Sequence, residues 1–504
     1  MSAFESGQPL HVTFTNGGYS LLMRNWAAHL QRLGLPYVVI TLDEAALQLC
    51  SEHGIHAMTW DVSLSSRNFR DDMTTFRKMG AMKPEIVLRF FERFNLSAIV
   101  ISDTDNVWLR DPVGSAKNRL ALNSGIIAFR NRIATKNFLQ RWRAYLLDPG
   151  KAKHTASSGA NWTVTDQLAL NLIMQEGEDN VVQSVEEGGR LVWLANRSLR
   201  VLPLPVLAAV NGHVAFLQHL PERHGVEPYV VHATYNRFGL EGKQMRFREM
   251  GWWLVDSDGH NTTDSKFMTY DNNVATFLRG LEQTEGPMVS LKKHLLGAAY
   301  QVAALRDALA IAWFMNRTLI LPELLAWCDS DHNAAVLETC TMVGSDLQLP
   351  FRCPADFYIN MQLLANSSLA VRESSFLSQV PQDKIASRKT VILVQHAEIP
   401  AEHAFANHTH ALYAGTSAEE LQDILQRTRD VSVLDWKEFQ PGAFGGSADA
   451  LRTADFNRLF KVITFGLQWC CSGGSWEKPH QFQASRWLYI QPQPLVGSLP
   501  APLD

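Results

Sequence analysis

The first half of the chain alternates short apolar runs with stretches whose apolar residues recur at helical spacing. Residues 11–15 predict a first strand, and the apolar positions of residues 21–33 then predict a helix. Residues 37–41 predict a second strand, followed by a helix that Asp43 can cap. Strands that alternate with helices in this way are typical of an α/β domain.

The most informative apolar run is residues 97–102, which delivers Asp103-Thr104-Asp105 at its carboxyl end. Its composition predicts a buried central strand, and ligands of open α/β sheets bind outside the carboxyl ends of strands. Two carboxylates one residue apart can hold a divalent cation that bridges the phosphates of a sugar nucleotide. The same triplet also fits a solvated loop, and its place between two apolar runs is what favours the metal site.

The remaining pattern predicts a two-domain organisation. Further elements of the first half are helices at 84–94 and 133–147 and strands at 125–130 and 229–232. A polar stretch at 256–263 predicts a linker. A second α/β region follows, with a helix at 292–314 and strands at 318–321 and 390–394. We therefore predict a first domain over 1–256, a linker over 257–280 and a second α/β domain over 281–504.

Two further segments could take part in binding a metal or a phosphate, and each also has a purely structural interpretation. His232 ends the predicted strand 229–232, where a neutral imidazole suits a manganese-type metal but equally a hydrogen-bonded core position. The segment from Gly239 to Arg246 combines glycines, which let a backbone approach a phosphate, with the positive charges of Lys243 and Arg246. It also fits a basic loop that caps a helix.

Two polar residues are candidates for sugar contacts. Asn123, in an Asn-Ser-Gly sequence before a predicted strand, has an amide that fits a sugar hydroxyl or a turn. Asp166 lies in Thr165-Asp166-Gln167, which opens a helical run and reads most plainly as an N-cap. Each of these signals is weak alone, and their order along the chain is more specific than any one of them.

Composition narrows the function classes. The chain has 504 residues, which suggests two or three domains, and 46% of them are hydrophobic. Lys and Arg number 46 against 50 Asp and Glu, a net charge of −4, so a nucleic-acid partner is not expected. No apolar run approaches the roughly 20 residues of a membrane span, and the first residues lack a signal-peptide pattern.

The cysteines leave two interpretations open. One lies in the first half and five in the second, at positions Cys50, Cys328, Cys340, Cys353, Cys470 and Cys471. No Cys-x-x-Cys occurs, which argues against a zinc ribbon. The cysteines are either buried free thiols or members of disulfides formed in a secretory compartment. Asn-x-Ser/Thr sequons favour the secretory route only weakly.

The order of the motifs resembles glycosyltransferase family 77, and within it the plant and green-algal extensin (hydroxyproline-rich glycoprotein) arabinosyltransferases. The matching pieces include DTDNVWLRDP, NSGIIAFRNR, TDQLALN, EPYVVHATYNRFGLEGKQMRFRE, NRTLILP and GLQWCC. The resemblance implies a GT-A-type nucleotide-sugar transferase domain followed by a Rossmann-like domain similar to that of protein O-fucosyltransferases. It further implies a retaining, Mn²⁺- or Mg²⁺-dependent transfer of L-arabinofuranose from a UDP-sugar to a hydroxyproline-linked glycan of cell-wall glycoproteins in the Golgi lumen.

The resemblance also assigns roles to the candidate residues, motif by motif. Asp103, Asp105 and His232 match metal ligands, with Asp103 also a nucleotide contact; Lys243, Arg246 and Thr15 match nucleotide or diphosphate contacts; Asp166 and Asn123 match residues that face the sugar.

The chain departs from the family pattern in two places within these motifs. The connection 113–122 is shorter than in relatives, and Leu240 replaces a usual Thr. These departures keep a catalytically impaired paralogue, binding a glycan or a partner, as an alternative. A UDP-xylose or UDP-galactose transferase is another.

Overall fold

The computed structural model describes most of the chain. The described residues are 8–60, 73–109, 123–148, 153–155, 161–175, 184–186, 189–194, 199–256, 266–329, 339–342, 344–381, 385, 387–394, 410–413 and 415–464. The chain divides into two compact units, the first Met1–Ala215 with His219–Thr234 and the second Phe216–Gln218 with Tyr235–Asp504. The domain boundary expected near residue 256 stays a prediction.

The first unit is an α/β unit. Its strands are β1 (Leu10–Thr15), β2 (Tyr37–Thr41), β3 (Ala57–Thr59), β4 (Ala98–Ser102), β5 (Asn106–Trp108), β6 (Ile126–Arg130), β7 (Lys153–Thr155), β8 (Asn161–Thr163), β9 (Ser184–Glu186), β10 (Gly189–Leu194), β11 (Leu199–Val201), β12 (Ala209–Asn211) and β13 (Val230–His232). Its helices are α1 (Ser20–Arg32), α2 (Glu44–Glu52), α3 (Met73–Arg93), α4 (Ile133–Leu147), α5 (Asp166–Gln175), α6 (Gly212–Phe216) and α7 (Leu220–Arg223).

The main sheet of this unit has the strand order β3-β2-β1-β4-β6. All neighbours are parallel except β6, which runs antiparallel to β4. Strand β4 is buried on both faces, because Ile99 and Ile101 pack into one apolar cluster and Val100 into the other. Burial on both faces explains its continuous apolar sequence and confirms the predicted central strand.

The first unit also contains a three-stranded sheet of order β12-β13-β5. Strand β13 pairs antiparallel with β5, with His232 opposite Asn106. Strands β4 and β5 belong to different sheets and are separated only by residues 103–105. The D-x-D triplet is therefore the connection between two sheets. This arrangement agrees with the expected GT-A-type α/β domain.

The second unit is also α/β. Its strands are β14 (Phe267–Tyr270), β15 (Thr318–Ile320), β16 (Leu324–Ala326), β17 (Phe351–Cys353), β18 (Val371–Arg372), β19 (Arg388–Val394), β20 (His410–Tyr413), β21 (Thr416–Ser417), β22 (Val433–Lys437) and β23 (Phe444–Gly446). Its helices are α8 (Gly239–Glu249), α9 (Val274–Glu285), α10 (Ser290–Phe314), α11 (Met361–Ala365), α12 (Phe376–Gln379), α13 (Ala418–Arg427) and α14 (Ala450–Ile463).

Six parallel strands form the sheet of the second unit, in the order β18-β15-β14-β22-β19-β20. A parallel sheet with helices between its strands confirms the predicted second α/β region. Helix α10 passes the length and composition test for a membrane span, but 89% of its most apolar window is buried in the protein. Core helices of soluble proteins pass the same test.

Two elements differ from the sequence-based expectation. Helix α3 begins at Met73, whereas the prediction started a helix at Pro84. Proline lacks the N–H that would bond the carbonyl of residue 80 and usually ends a helix, yet here the helix continues through it. Within the stretch predicted to be a linker, the described residues 266–280 hold strand β14 and the start of α9.

Candidate active site

The D-x-D connection is fixed by its backbone and by one amide side chain. The Asp103 N–H donates to the Gly125 carbonyl at 2.9 Å, and the Ala233 N–H donates to the Asp105 carbonyl at 3.0 Å. The Asn106 side chain donates to the carbonyls of Asp103 at 2.8 Å and Gly125 at 3.2 Å. These bonds hold the connection against β6 and β13 and so set where its two carboxylates lie.

The carboxylates of Asp103 and Asp105 meet the imidazole of His232. His232 Nε2 lies 3.2 Å from Asp105 Oδ1 and 3.8 Å from Asp103 Oδ2. One ligand atom from each of the three residues lies within 4.8 Å of the others. The predicted metal ligands, two from one triplet and the third more than a hundred residues later in the chain, are therefore brought together.

Gly125 makes room for the histidine. A Cβ atom at this position would overlap the His232 ring and approach Asn123 Oδ1 at 2.8 Å. The two atoms that this Cβ would meet first are His232 Cε1 and Nδ1, and His232 is fixed as the last residue of β13. Any other residue at position 125 would therefore displace the imidazole. The glycine of the Asn-Ser-Gly sequence thus serves the metal triad, a role that sequence analysis did not assign to it.

Lys83 is a site residue that the sequence analysis missed. It comes from α3, and its Nζ lies 2.8 Å from Asp103 Oδ1 and 2.6 Å from Asp166 Oδ2. It also donates to the Ser124 carbonyl at 3.1 Å, while the Ser124 hydroxyl donates to Asp166 Oδ2 at 2.8 Å. This buried lysine links the metal triad to Asp166.

The charges of the site are unbalanced towards the negative. Burial lowers the pKa of Lys83, but Asp103 and Asp166 more than offset this, so its pKa rises and it stays a cation. Burial raises the pKa of Asp103, and the negative charges of Asp105 and Asp166 raise it further. Lys83 and His232 lower this pKa, but the net shift is upward. Three carboxylates facing one permanent cation form an electrostatic environment that suits a divalent metal ion.

Asp166 opens helix α5 without being its cap. The neighbouring Thr165 hydroxyl accepts from the Leu168 N–H at 3.2 Å, which is the capping role. Burial raises the pKa of Asp166, but Lys83 and Ser124 lower it by a larger amount, so the net shift of this pKa is downward. Thr165 is therefore the N-cap of α5. The ionised Asp166 carboxylate pairs with Lys83 instead.

Two other candidates have local partners. The side chain of Asn123 is exposed, and its Oδ1 accepts from the Gly125 N–H at 2.7 Å, which is the turn reading of this residue. Thr15 is buried at the end of β1 and donates to the Asn16 carbonyl at 3.0 Å. Contact of Asn123 with the sugar and of Thr15 with the nucleotide stay predictions.

Lys243 and Arg246 lie on α8 in the second unit. The Arg246 guanidinium is buried and bonds Asp356 through Nε at 2.9 Å and Nη2 at 3.0 Å, while Nη1 donates to the Tyr235 carbonyl at 3.0 Å. A Cβ at Gly242 would overlap the carbonyl of Arg237, so this glycine permits close packing at the start of α8. The assignment of both cations to the diphosphate stays a prediction.

Proteins with similar sequences are transferases of nucleotide sugars or of arabinose by their descriptions, which agrees with a metal-binding donor site. The profile of the family described as nucleotide-diphospho-sugar transferase matches residues 35–121 and 114–247. The two matched segments overlap at residues 114–121. "Arabinosyltransferase XEG113" of Arabidopsis thaliana is 26% identical over 502 residues, covering 91% of this chain and 73% of that protein.

Solved glycosyltransferases align only loosely. The apo form of GlyE from Streptococcus pneumoniae TIGR4 covers 90% of this chain and 99% of its own at 10% identity, with a TM-score of 0.29. The galactosyltransferase LgtC covers 50% of this chain and 98% of its own at 11% identity, with a TM-score of 0.27. Likenesses this loose say nothing about substrate.

The profile match includes Asp103, Asp105, Asp166 and His232, and the arabinosyltransferase relative spans both units. The site geometry and these two sequence relationships agree with each other. The chain is a glycosyltransferase that is similar to nucleotide-diphospho-sugar transferases over residues 35–247 and to the A. thaliana arabinosyltransferase over most of its length.

Proposed function

We propose that this chain transfers L-arabinofuranose from UDP-β-L-arabinofuranose to an arabinosylated hydroxyproline of a cell-wall glycoprotein of the extensin kind. The transfer uses Mn²⁺ or Mg²⁺, retains the anomeric configuration and takes place in the Golgi lumen. The convergence of Asp103, Asp105 and His232 carries the proposal of a metal-dependent donor site. The name of the A. thaliana relative supports the choice of sugar.

The three ligands fit an octahedral cation of the Mn²⁺ or Mg²⁺ type. Metal–ligand distances of about 2.1 Å place neighbouring ligand atoms about 3.0 Å apart. The His232–Asp105 distance of 3.2 Å is close to this value, and the His232–Asp103 distance of 3.8 Å is slightly longer. Two carboxylates with one imidazole are a donor set that suits manganese. A bound cation would neutralise the diphosphate and stabilise it as a leaving group.

The protein side chains hold the charges around this donor site. Lys83 keeps one oxygen of Asp103 engaged, so that the other points towards His232. The same lysine and Ser124 both bond Asp166 Oδ2, which fixes the orientation of that carboxylate. A carboxylate held ionised in this way stabilises positive charge that develops on the sugar as its bond to phosphate breaks.

Retention is assigned to attack on the same face as the departing diphosphate. In this step the acceptor hydroxyl bonds the anomeric carbon, the sugar–phosphate bond breaks, and a phosphate oxygen takes the hydroxyl proton. Asp166 stabilises the developing charge and is not required to form a bond to the sugar.

The first experiment is a thermal shift of the purified full chain with UDP, with and without Mn²⁺. A rise that needs both ligands supports the donor site, because a ligand that binds the folded state stabilises it by mass action. The Asp105→Asn variant is the matched control and should lose the rise. A well-folded wild type without any rise supports the catalytically impaired paralogue.

The second experiment fixes the donor and the stereochemistry. The enzyme is supplied with UDP-arabinofuranose, UDP-xylose or UDP-galactose and an arabinosylated hydroxyproline peptide. Transfer from the first donor alone, with the anomer retained by NMR, is the expected result. Transfer from xylose or galactose instead would keep the enzyme and overturn the arabinosyl assignment. An inverted product would overturn the same-face step.

A further inference from the structure

Two cysteine thiols meet in a small apolar cluster of the second unit. Cys328 and Cys340 are both buried and pack with Leu295 of α10, with Met342 and Leu349 against them. The two thiols hydrogen-bond to each other. Both are free thiols in this structure.

The backbone holds the two cysteines side by side. The Asp329 N–H, next to Cys328, donates to the Cys340 carbonyl at 2.8 Å. The preceding residue is also tied down, because the Trp327 N–H donates to His294 Nδ1 on α10 at 3.0 Å. A main-chain bond therefore joins the segments of the two cysteines, and a bond to the His294 side chain fixes the segment of Cys328 against α10.

Cys340 also has an uncommon backbone conformation. Its φ is +57°, in the left-handed region that non-glycine residues rarely adopt. Such a conformation persists only where the surrounding structure fixes it, and it is concentrated at constrained sites. A cysteine side chain held next to a second cysteine is a constraint of this kind.

The other described cysteines lack this arrangement. Cys50 packs in the first unit with its Sγ 3.9 Å from the Met23 sulfur. Cys353 is fully buried in β17, where its thiol neighbours the Tyr358 side chain. Among the described cysteines, Cys328 and Cys340 are the pair whose thiols bond each other, and Cys353 is a natural control within the same unit.

We propose that Cys328 and Cys340 form a disulfide bond in the mature protein. Two thiols lose two electrons and two protons, and the Sγ–Sγ bond forms. The oxidant is a disulfide of the glutathione or thiol–disulfide oxidoreductase class. One thiolate attacks that disulfide and releases a thiol. The second thiolate then attacks the mixed disulfide and releases the other thiol.

Burial determines when this bond can form. Both sulfurs are buried once the unit is packed. Oxidation therefore occurs during folding in an oxidising compartment, and burial then shields the bond from reduction.

The direct test uses the wild-type full chain secreted from a eukaryotic host. The protein is denatured without reductant in the presence of N-ethylmaleimide, digested with protease and analysed by mass spectrometry. The expected product is a peptide pair joined between Cys328 and Cys340, while Cys353 carries the maleimide. Maleimide on both Cys328 and Cys340, or either one joined to a different cysteine, overturns the proposal.

A stability measurement tests the same bond independently. Cys328→Ser and Cys340→Ser should each lower the melting temperature by on the order of 5 °C, and the double variant should lower it no further. Unfolding the wild type with reductant and refolding it with reductant present should give a similar loss. Cys353→Ser is the control, and the change that it causes in melting temperature should be the same in the oxidised and in the reduced protein. Additive losses in the double variant contradict a shared bond.

Discussion

The main sheets of the two units each place acidic residues directly after a strand but use them differently. In the first unit, β4 is followed by Asp103 and Asp105, whose carboxylates converge on His232. In the second unit, β14 is followed by Asp271, whose two oxygens accept the Glu438 and Phe439 N–H groups at 2.9 Å each. At the first sheet edge the carboxylates lie close to one another, whereas at the second the carboxylate accepts hydrogen bonds from backbone N–H groups.

The asparagines after β14 complete this contrast. Asn272 donates to Gln301 Oε1 and to the Glu323 carbonyl, both at 2.8 Å, and Asn273 donates to the Phe439 carbonyl at 3.1 Å. The polar residues of this edge therefore tie neighbouring segments of the second unit together.

Position at the carboxyl end of a parallel strand is the usual location of a ligand site. The comparison shows that position alone does not separate a binding edge from a structural one. The discriminating feature is the partner of each carboxylate. Carboxylates clustered with like charges cost stability and imply a cation, whereas carboxylates that accept backbone N–H groups stabilise the fold.

The largest expected effect follows from removing a carboxylate of the binding edge. Asp105→Ala should reduce sugar transfer by about 10³-fold or more, because a charge-stabilising group at the leaving diphosphate is lost. Its melting temperature should change little, since the Asp105 carbonyl still accepts from Ala233 and one of the clustered like charges disappears. Initial transfer rates and a thermal melt without ligand measure the two effects.

The Asp105→Asn variant separates charge from shape. It keeps the side-chain volume and an acceptor oxygen, so its loss of transfer should approach that of Asp105→Ala. Full activity in either variant would show that the two sheet edges do not differ in function.

Removing the cation of the binding edge should affect stability instead. Lys83→Met leaves the carboxylates of Asp103 and Asp166 buried without their shared partner, which costs on the order of 3 kcal/mol. Mn²⁺ should then raise the melting temperature more in this variant than in the wild type, since a metal ion would replace part of the lost positive charge. Melting curves with and without Mn²⁺ measure both effects.

Lys293→Met is the matched control for this prediction. Lys293 pairs with Glu282 on the surface at 2.7 Å, and exposed pairs contribute little. If Lys83→Met melts like Lys293→Met, the lysine is not needed to offset the clustered carboxylates.

The amino-acid sequence predicted the central strand and the three candidate metal ligands that the structure brings together, but not Lys83 or the role of Gly125. The D-x-D triplet follows a strongly apolar strand and His232 is the last residue of another, so local pattern and family resemblance located them. Lys83 lies inside a helix that was predicted to begin at Pro84 but begins at Met73, because proline is a reliable helix breaker in most contexts. A lysine among apolar helical positions was the available signal.

The second unit shows a different limit of sequence analysis. Its first strand, β14, was assigned to a linker because only four residues separate a polar stretch from the next loop. Its strand β22 and helix α13 lie beyond the last predicted strand. Short parallel strands gain their stability from neighbours distant in the sequence, and no local pattern contains that information.

The Glu249 carboxyl of the second unit predicts a pH dependence of stability. Burial raises the pKa of Glu249 from 4.5 to about 8, while its Oε1 accepts the Ala355 N–H at 2.7 Å. Because the folded pKa is raised, the stabilisation is complete below pH 4.5 and is lost as the pH rises through about 8. Glu249→Gln keeps the acceptor oxygen and should abolish this pH dependence.

The expected gain of Glu249→Gln over the wild type is a few kcal/mol at pH 8.5 and close to zero at pH 4.5. Urea unfolding at both pH values measures it, and the UDP–Mn²⁺ thermal shift of the first unit should be unaffected. A constant difference between the two proteins across this range would mean that Glu249 does not titrate between the two states.

The smallest expected effect comes from the structural sheet edge. Asp271→Ala leaves the Glu438 and Phe439 N–H groups without their acceptor and should cost about 1–3 kcal/mol of unfolding free energy. Asp271→Asn retains one acceptor oxygen and should lose about half as much. The rise in melting temperature with UDP and Mn²⁺ should persist in both variants, because this carboxylate already has backbone partners. If either variant instead loses that rise while remaining folded, Asp271 contributes to the binding of the nucleotide, and the distinction between the two sheet edges fails.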